Sequence, residues 1–342
     1  MKKILSISVA AYNAENWLNR CIDSMVIPEI LELIEIIIVN DGSSDKTLEI
    51  AKQYESLYPQ SIVVINKDNG GHGSTINVAK KIAKGKYFKV VDADDWVNRD
   101  GFIALVNRLV SIKKDIVFSP YYVYLLNEEK YLPVDYFYNS EIFDYEKDNL
   151  QLMIERLKIS MHSIVINTDV VKKMPDIDEQ CFYVDVEYVV YSMLKCNSVS
   201  FLREPVYVYY IGREGQSVNV NIMFKRREQH FRVCKSIINY YVNYSNEKSI
   251  FDNVIHSRIV ALVIKHYKIL LLNKNLRESK REFVNFDNWL KESAPIIYKA
   301  SAELNQFFSK FLFLMRISGF HGYELFVRKI NKRIRLSIQN SF

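Results

Sequence analysis

The feature that most constrains this chain is an alternation in its first hundred residues. Short apolar, β-branched runs (Ile4–Val9, Ile34–Val39, Ile62–Ile65 and Tyr87–Val91) alternate with stretches of helical periodicity (Trp17–Met25, Thr47–Tyr58 and Thr75–Ala83). In the first of these stretches Trp17, Leu18, Cys21, Ile22 and Met25 fall at helical intervals. Strands that are apolar along their whole length, separated by helices, predict an α/β fold: a mostly parallel sheet flanked by helices. Such sheets bind ligands beyond the carboxyl ends of their strands. The polar clusters lie there: Tyr12-Asn13 after the first run, Asp41-Gly42-Ser43-Ser44-Asp45 after the second, and Asp92-Ala93-Asp94-Asp95 after the fourth.

Beyond residue 100 the pattern predicts a helix over Gly101–Ile112, a strand over Ile116–Ser119 and extended chain over Val199–Tyr210. From about residue 221 Gly and Pro nearly vanish, and long amphipathic stretches such as Met223–Tyr241 and Asn253–Leu272 take over. The expected organisation is an α/β domain over 1–220 and a helical region over 221–342. Residues 1–220 hold 24 Lys and Arg against 31 Asp and Glu, whereas residues 221–342 hold 22 against 9. A basic final third points to a polyanionic or membrane-surface partner for that part alone. No run of about 18 uninterrupted apolar residues predicts a transmembrane helix. The lysines before the first apolar run look like a signal peptide, but that run is short and alternates, and Asn13-Ala14-Glu15-Asn16 follows at once; a buried first strand is the better reading. Cys21, Cys181, Cys196 and Cys234 show no metal-ligand spacing of the C-x-x-C kind, and read as reduced thiols of a cytoplasmic protein.

Three carboxylates within four residues, Asp92, Asp94 and Asp95, repel one another and call for a counter-cation. Mg2+ or Mn2+ suits such a cluster, since hard ions take oxygen ligands and share their shell with phosphates and water. A cation there could clamp a diphosphate; a solvated acidic turn is the plainer alternative. Asp41 closes its strand where it could accept from a base or ribose, within what is also an ordinary strand-to-helix turn capped by Ser44 or Asp45. Asn69-Gly70-Gly71-His72-Gly73 enters a helix, and its glycines allow close backbone approach to an anion. His72 by itself reads as a surface residue.

Taken together and in order, Ser6–Glu15, Ile37–Thr47, Asn69-Gly70-Gly71 and Gly85–Asp95 resemble the nucleotide-diphosphosugar-binding half of family 2 glycosyltransferases. The resemblance covers residues 1 to about 110 and implies a GT-A-like, Rossmann-type fold. Its Asp-x-Asp signature falls on Asp92-Ala93-Asp94, implying that Asp94 ligates the metal and that Asp92 contacts metal or ribose. It further implies that Asp41 reads the nucleobase, with Ala11, Tyr12, Asn13 and Glu15 beside it. Ala11 stands where the family usually has Pro, which loosens that turn.

Two downstream segments extend the resemblance. Cys181–Tyr188 matches the stretch carrying the catalytic base of inverting members, and implies Asp185 in that role with Glu187 as runner-up. Val184 breaks the acid pair common there. Tyr209–Val218 matches a loop that closes over the donor, where Arg213 could pair with the diphosphate and Gln216 and Ser217 add hydrogen bonds. His162 matches an acceptor-side segment. The implied activity is inverting, metal-dependent sugar transfer from a nucleotide-sugar, UDP-linked by preference, to a cell-surface polysaccharide, teichoic acid or glycolipid precursor. Phe320–Arg335 alternates apolar and basic residues, either as an interfacial helix on the inner face of the membrane or as a basic helix packed on its own protein. Two rivals are weaker. A nucleotidyltransferase needs a Gly-rich basic loop after the first strand, where this chain has Ala10-Ala11-Tyr12-Asn13. A non-catalytic binder of anionic polymer or nucleic acid would rest on the basic third alone, and no nucleic-acid motif is present.

Overall fold

The computed structural model describes residues 2–134, 159–212, 220–244, 249–304 and 307–339. They form two compact units, Met1–Glu214 with Ser249–Phe251, and Gly215–Lys248 with Asp252–Phe342.

The first unit is built on the expected strands: β1 (Leu5–Ala11), β2 (Ile34–Asp41), β3 (Ile62–Lys67) and β4 (Tyr87–Asp92). β2 is buried along its whole length, as a strand covered on both faces must be, whereas β3 alternates buried and partly exposed residues, as an edge strand does. β1 pairs in parallel with β2 and β4, and β2 with β3. Helices α1 (Leu18–Met25), α2 (Thr47–Leu57) and α3 (His72–Ile82) connect them. After β5 (Trp96–Val97) and α4 (Arg99–Ser111) come β6 (Ile116–Phe118), β7 (Tyr121–Leu125), β8 (Lys130–Val134), β9 (Ile164–Asn167), α5 (Thr168–Lys173), α6 (Asp185–Leu194), β10 (Val199–Phe201) and β11 (Tyr207–Ile211). The main sheet runs β10-β6-β9-β4-β1-β2-β3, parallel except for β9, and a smaller sheet runs β5-β11-β7-β8.

Two expectations were off in detail. Val199–Tyr210 is not one extended run: the chain breaks at 202–206, around Pro205, and its two ends join different sheets. Helix α3 begins at His72, ahead of the expected Thr75. Gly73 and Ser74 lower helix propensity, but Gly73 is pressed against residues 177–178, and those tertiary contacts outweigh propensity.

The second unit is helical: α7 (Val220–Lys225), α8 (Arg227–Tyr244), α9 (Asp252–Leu270), α10 (Leu276–Ser293), α11 (Pro295–Glu303), α12 (Phe307–Ile317) and α13 (Tyr323–Gln339). Its core gathers Tyr267, Phe283, Phe286, Phe311 and Tyr323. The Arg316–Asp287 ion pair (2.8 Å) lies within it, and the Tyr267 hydroxyl donates to the same carboxylate at 2.7 Å. Among the described residues no helix is long and apolar enough to cross a membrane.

Candidate functional site

The register of β1, β2 and β4 brings their polar turns to one edge. Ala10 lies opposite Asp92, and Ala11 opposite Asn40. The turn after β1 is laced to the turn after β2. The Asn13 side chain accepts from the Ser44 N–H (2.9 Å), Ser43 Oγ accepts from the Asn13 N–H, and Glu15 accepts from the Lys46 N–H (3.0 Å). Asp45 accepts from the N–H and hydroxyl of Thr47 at the start of α2. Ala11 is buried beneath this lacing, while Tyr12 is 56% exposed.

Asp41 is nearly fully buried. Its carboxylate accepts from the Gly70 and Gly71 N–H groups (2.9 and 2.7 Å), from Lys67 Nζ (2.8 Å) and from Ser74 Oγ, and its carbonyl accepts from the Asn69 side chain. It thus shapes the Gly-rich turn from below. Gly71 sits at φ +80°, which favours glycine. The turn in turn grips a later segment: Gly70 O accepts from the Gln180 N–H, and Asn77 makes paired hydrogen bonds with the Ile177 backbone (2.8 Å each). Lys80 donates to the Met174 and Pro175 carbonyls. This clamp leads directly into α6, whose first residue is Asp185.

The acidic turn after β4 has a divided structure. Asp95 is buried and accepts from the Tyr207 hydroxyl (2.5 Å) and the Tyr210 N–H (2.8 Å). The same hydroxyl accepts from the Asp92 N–H (3.2 Å), so Tyr207 ties the turn to β11. Burial first, then the neighbouring Asp94 and Asp92, hold the Asp95 carboxyl well above its usual range. The Arg20 guanidinium stacks over Trp96 and donates to the Asp94 carbonyl (2.9 Å). Asp92 remains partly exposed and meets His72 Nε2 at 2.9 Å. Burial works against the charged His72 ring, yet Asp92 and, more weakly, Asp185 and Asp94 outweigh it and raise its pKa. Asp185 therefore acts on the same electrostatic site.

Ligand atoms of Asp92, Asp95 and His162 lie within 4.8 Å of one another; Asp94 is not in that group. His162 stacks on Tyr209 (centroids 4.3 Å apart) and Tyr207, and its buried Nδ1 has no hydrogen-bond partner among the described residues. Burial lowers its pKa to about 4, so it is a neutral imidazole, the form that ligates metals. Its carbonyl accepts from Lys89 Nζ (2.8 Å), a fully buried lysine of β4 whose pKa burial brings down to about 7. Carboxylate oxygens suit Mn2+ and Mg2+ alike, and an imidazole among them favours Mn2+, the softer of the two.

The two downstream acids part company. Asp185 is exposed at the start of α6, whereas Glu187 is fully buried and accepts from the Asp178 N–H (2.8 Å). Arg213, Gln216 and Ser217 lie outside the described residues. Sequence reasoning missed His72, Lys89, Arg20 and Tyr207 as parts of this site. Of these, only Lys89, a lysine within an apolar strand, carried a local signal.

A mostly parallel sheet with acidic, Gly-rich and aromatic turns at one carboxyl edge is an α/β domain of the GT-A fold class. Residues 6–173, just under half of the chain, match the model of glycosyl transferase family 2. Over 118 residues it is 35% identical to the glycosyltransferase GlyA of Streptococcus pneumoniae, covering 34% of this chain and 17% of GlyA. Over 216 residues it is 30% identical to the minor teichoic acid biosynthesis protein GgaB of Bacillus subtilis, covering 62% of this chain and 23% of GgaB. The chain thus spans well under two thirds of either relative. Among solved structures, S. aureus TarS 1–349 in complex with UDP-GlcNAc superposes with a TM-score of 0.65 at 18% identity, covering 99% of this chain and 91% of that one, which shows a common fold.

Proposed function

We propose that this chain is an inverting, metal-dependent glycosyltransferase that moves a sugar from a nucleoside-diphosphate donor, with UDP as the carrier, to a hydroxyl of a cell-surface polymer. The observation that carries the reading is the convergence of Asp92, Asp95 and His162 at the sheet edge, beside the Tyr12–Glu15 turn and the Asp41-braced glycine turn. The match of residues 6–173 to the family 2 model supports glycosyl transfer, and the similarity to a teichoic acid biosynthesis protein supports the polymer class.

Asp92 and Asp94, the pair of the acidic signature, would hold Mn2+ or Mg2+, with Asp95 and His162 offering further donors close to Asp92. When bound, the ion supplies positive charge that offsets the diphosphate leaving group. The chain's own residues do the rest. Exposed Tyr12 offers a ring on which the base stacks, and Asp41 keeps the glycine turn in shape beneath the donor. Asp185 takes the proton of the acceptor hydroxyl as its oxygen bonds to the anomeric carbon. The carbon–oxygen bond to the diphosphate breaks, and the nucleoside diphosphate leaves with the electron pair. Arg213, Gln216 and Ser217 are assigned to the departing phosphates. The base assignment favours Asp185 over Glu187, because Glu187 is already committed to the Asp178 N–H.

The test is a panel of nucleotide sugars with Mn2+, read by thermal stabilisation and by donor turnover. Asp94→Ala should abolish metal-dependent donor binding, and chelator should mimic it. Asp185→Asn should keep donor binding while transfer falls by about 100-fold or more. Wild-type turnover in Asp94→Ala removes the metal assignment, and loss in Glu187→Gln with normal turnover in Asp185→Asn reassigns the base.

A further inference from the structure

The helical unit contains a cluster that sugar transfer does not use. His230 and Cys234 lie one turn apart on α8, and His266 of α9 packs against them. All three are buried, at 1%, 0% and 2% exposure. His266 Nδ1 lies 3.2 Å from His230 Nδ1, and Cys234 Sγ lies 3.6 Å from that same nitrogen. All three ligand atoms fall within 4.8 Å of one another.

These separations can be compared with those a metal imposes. Tetrahedral zinc, with bonds of about 2.0–2.1 Å to nitrogen and about 2.3 Å to sulfur, sets its nitrogens about 3.3 Å apart and nitrogen and sulfur about 3.6 Å apart. The His230–His266 separation of 3.2 Å and the Cys234–His230 separation of 3.6 Å match these values. The i, i+4 spacing puts a thiol and an imidazole on one helix face, as a two-ligand helix requires. From these distances we infer that His230, Cys234 and His266 form a zinc site that pins α8 to α9, with the fourth position left to a small exogenous ligand such as water.

The surroundings agree. Phe286 packs on the His266 ring at 4.5 Å and Phe231 at 5.4 Å, walling the cluster with aromatic carbon. Burial holds His266 down at about 3 and His230 well below its usual range, and cationic Lys265 and Arg227 reinforce this, so both rings are neutral. Burial pushes the Cys234 thiol up, so the sulfur carries its proton until a metal displaces it. On binding, the S–H bond breaks, the proton leaves to solvent and the sulfur–zinc bond forms.

Cobalt(II) is the probe. Full-length protein stripped with chelator and titrated with Co2+ should develop a thiolate-to-cobalt charge-transfer band and the intense visible bands of four-coordinate cobalt. Both should saturate at one equivalent and vanish when one equivalent of Zn2+ is added. Cys234→Ala and Cys234→Ser should lose the charge-transfer band, and His266→Gln should bind more than ten-fold more weakly. Asp94→Ala should leave the spectrum unchanged, which separates this site from the proposed catalytic metal. Zinc should raise the melting temperature of Asp94→Ala by several degrees and leave that of an Asp94→Ala, Cys234→Ala double variant unmoved. A wild-type titration without a charge-transfer band overturns the inference, and so does a band that survives in both Cys234 variants, which would assign the thiolate to another cysteine.

Discussion

At the scale of single residues, the site depends on side chains whose partners are distant in sequence. Tyr207 is the clearest case, bridging the Asp92 N–H and the buried Asp95 carboxylate from a strand more than 110 residues away. Tyr207→Phe keeps the ring but leaves a buried carboxylate short of a donor. It should destabilise the protein by about 1–3 kcal/mol in denaturant unfolding and weaken Mn2+-dependent donor binding. Unchanged stability and binding would make the bridge incidental. The same distance explains what the sequence concealed. The four-residue acidic run was visible as a cation site, but nothing local distinguishes buried Asp95 from partly exposed Asp92. His72 offered no signal, because its meaning comes from Asp92, twenty residues later and on another element. The choice between Asp185 and Glu187 likewise needed the Asp178 backbone.

At the scale of elements, the glycine turn and α3 act as a clamp on residues 174–181, and through them on the start of α6. Gly73 is its tightest point, since a β-carbon there would press against the Asp178 carbonyl. Gly73→Ala should cost about 1–3 kcal/mol of stability, as overpacking does. Because the displaced segment leads to Asp185 rather than to the donor turns, turnover should fall more than donor affinity. Steady-state kinetics with varied donor measures this split, and a loss confined to donor KM would place the clamp's role at the donor instead. The first four strands were legible because apolar runs of that length, bounded by polar turns, have few other uses. The β10–β11 switch between sheets was not, since both strands are apolar and only Pro205 marks the break. The Gly-rich turn showed its freedom of backbone but not its cargo: a stretch of chain one hundred residues on.

At the scale of the whole molecule, the basic final third raises the question of a surface partner. Within the helical unit, α12 exposes Phe313, Leu314 and Ile317, and α13 exposes Leu325 and Phe326 beside exposed Arg328 and Lys329. Meanwhile Tyr323, Val327 and Ile330 of α13 face inward, so the helix packs on its own unit and still presents apolar and basic side chains outward. The two readings of this segment, packed helix and interfacial helix, are therefore compatible. Burying Leu325 and Phe326 in an acyl boundary would gain about 1.5–3 kcal/mol each at full burial, and each nearby cation adds about 1 kcal/mol on an anionic surface. Replacing both apolar residues by Ser should lower partitioning onto phosphatidylglycerol vesicles by on the order of ten-fold or more; because the Phe326 ring also packs on Phe311, Leu325→Ser alone, at a fully outward position, should show the same direction of change. Raising the salt concentration should weaken the wild-type interaction as the charges are screened. Sedimentation with vesicles of increasing anionic content measures both effects. Partitioning that ignores the double substitution and the salt alike would leave the exposed face of α12 and α13 without a lipid role, and the basic surplus would then be a property of solubility alone.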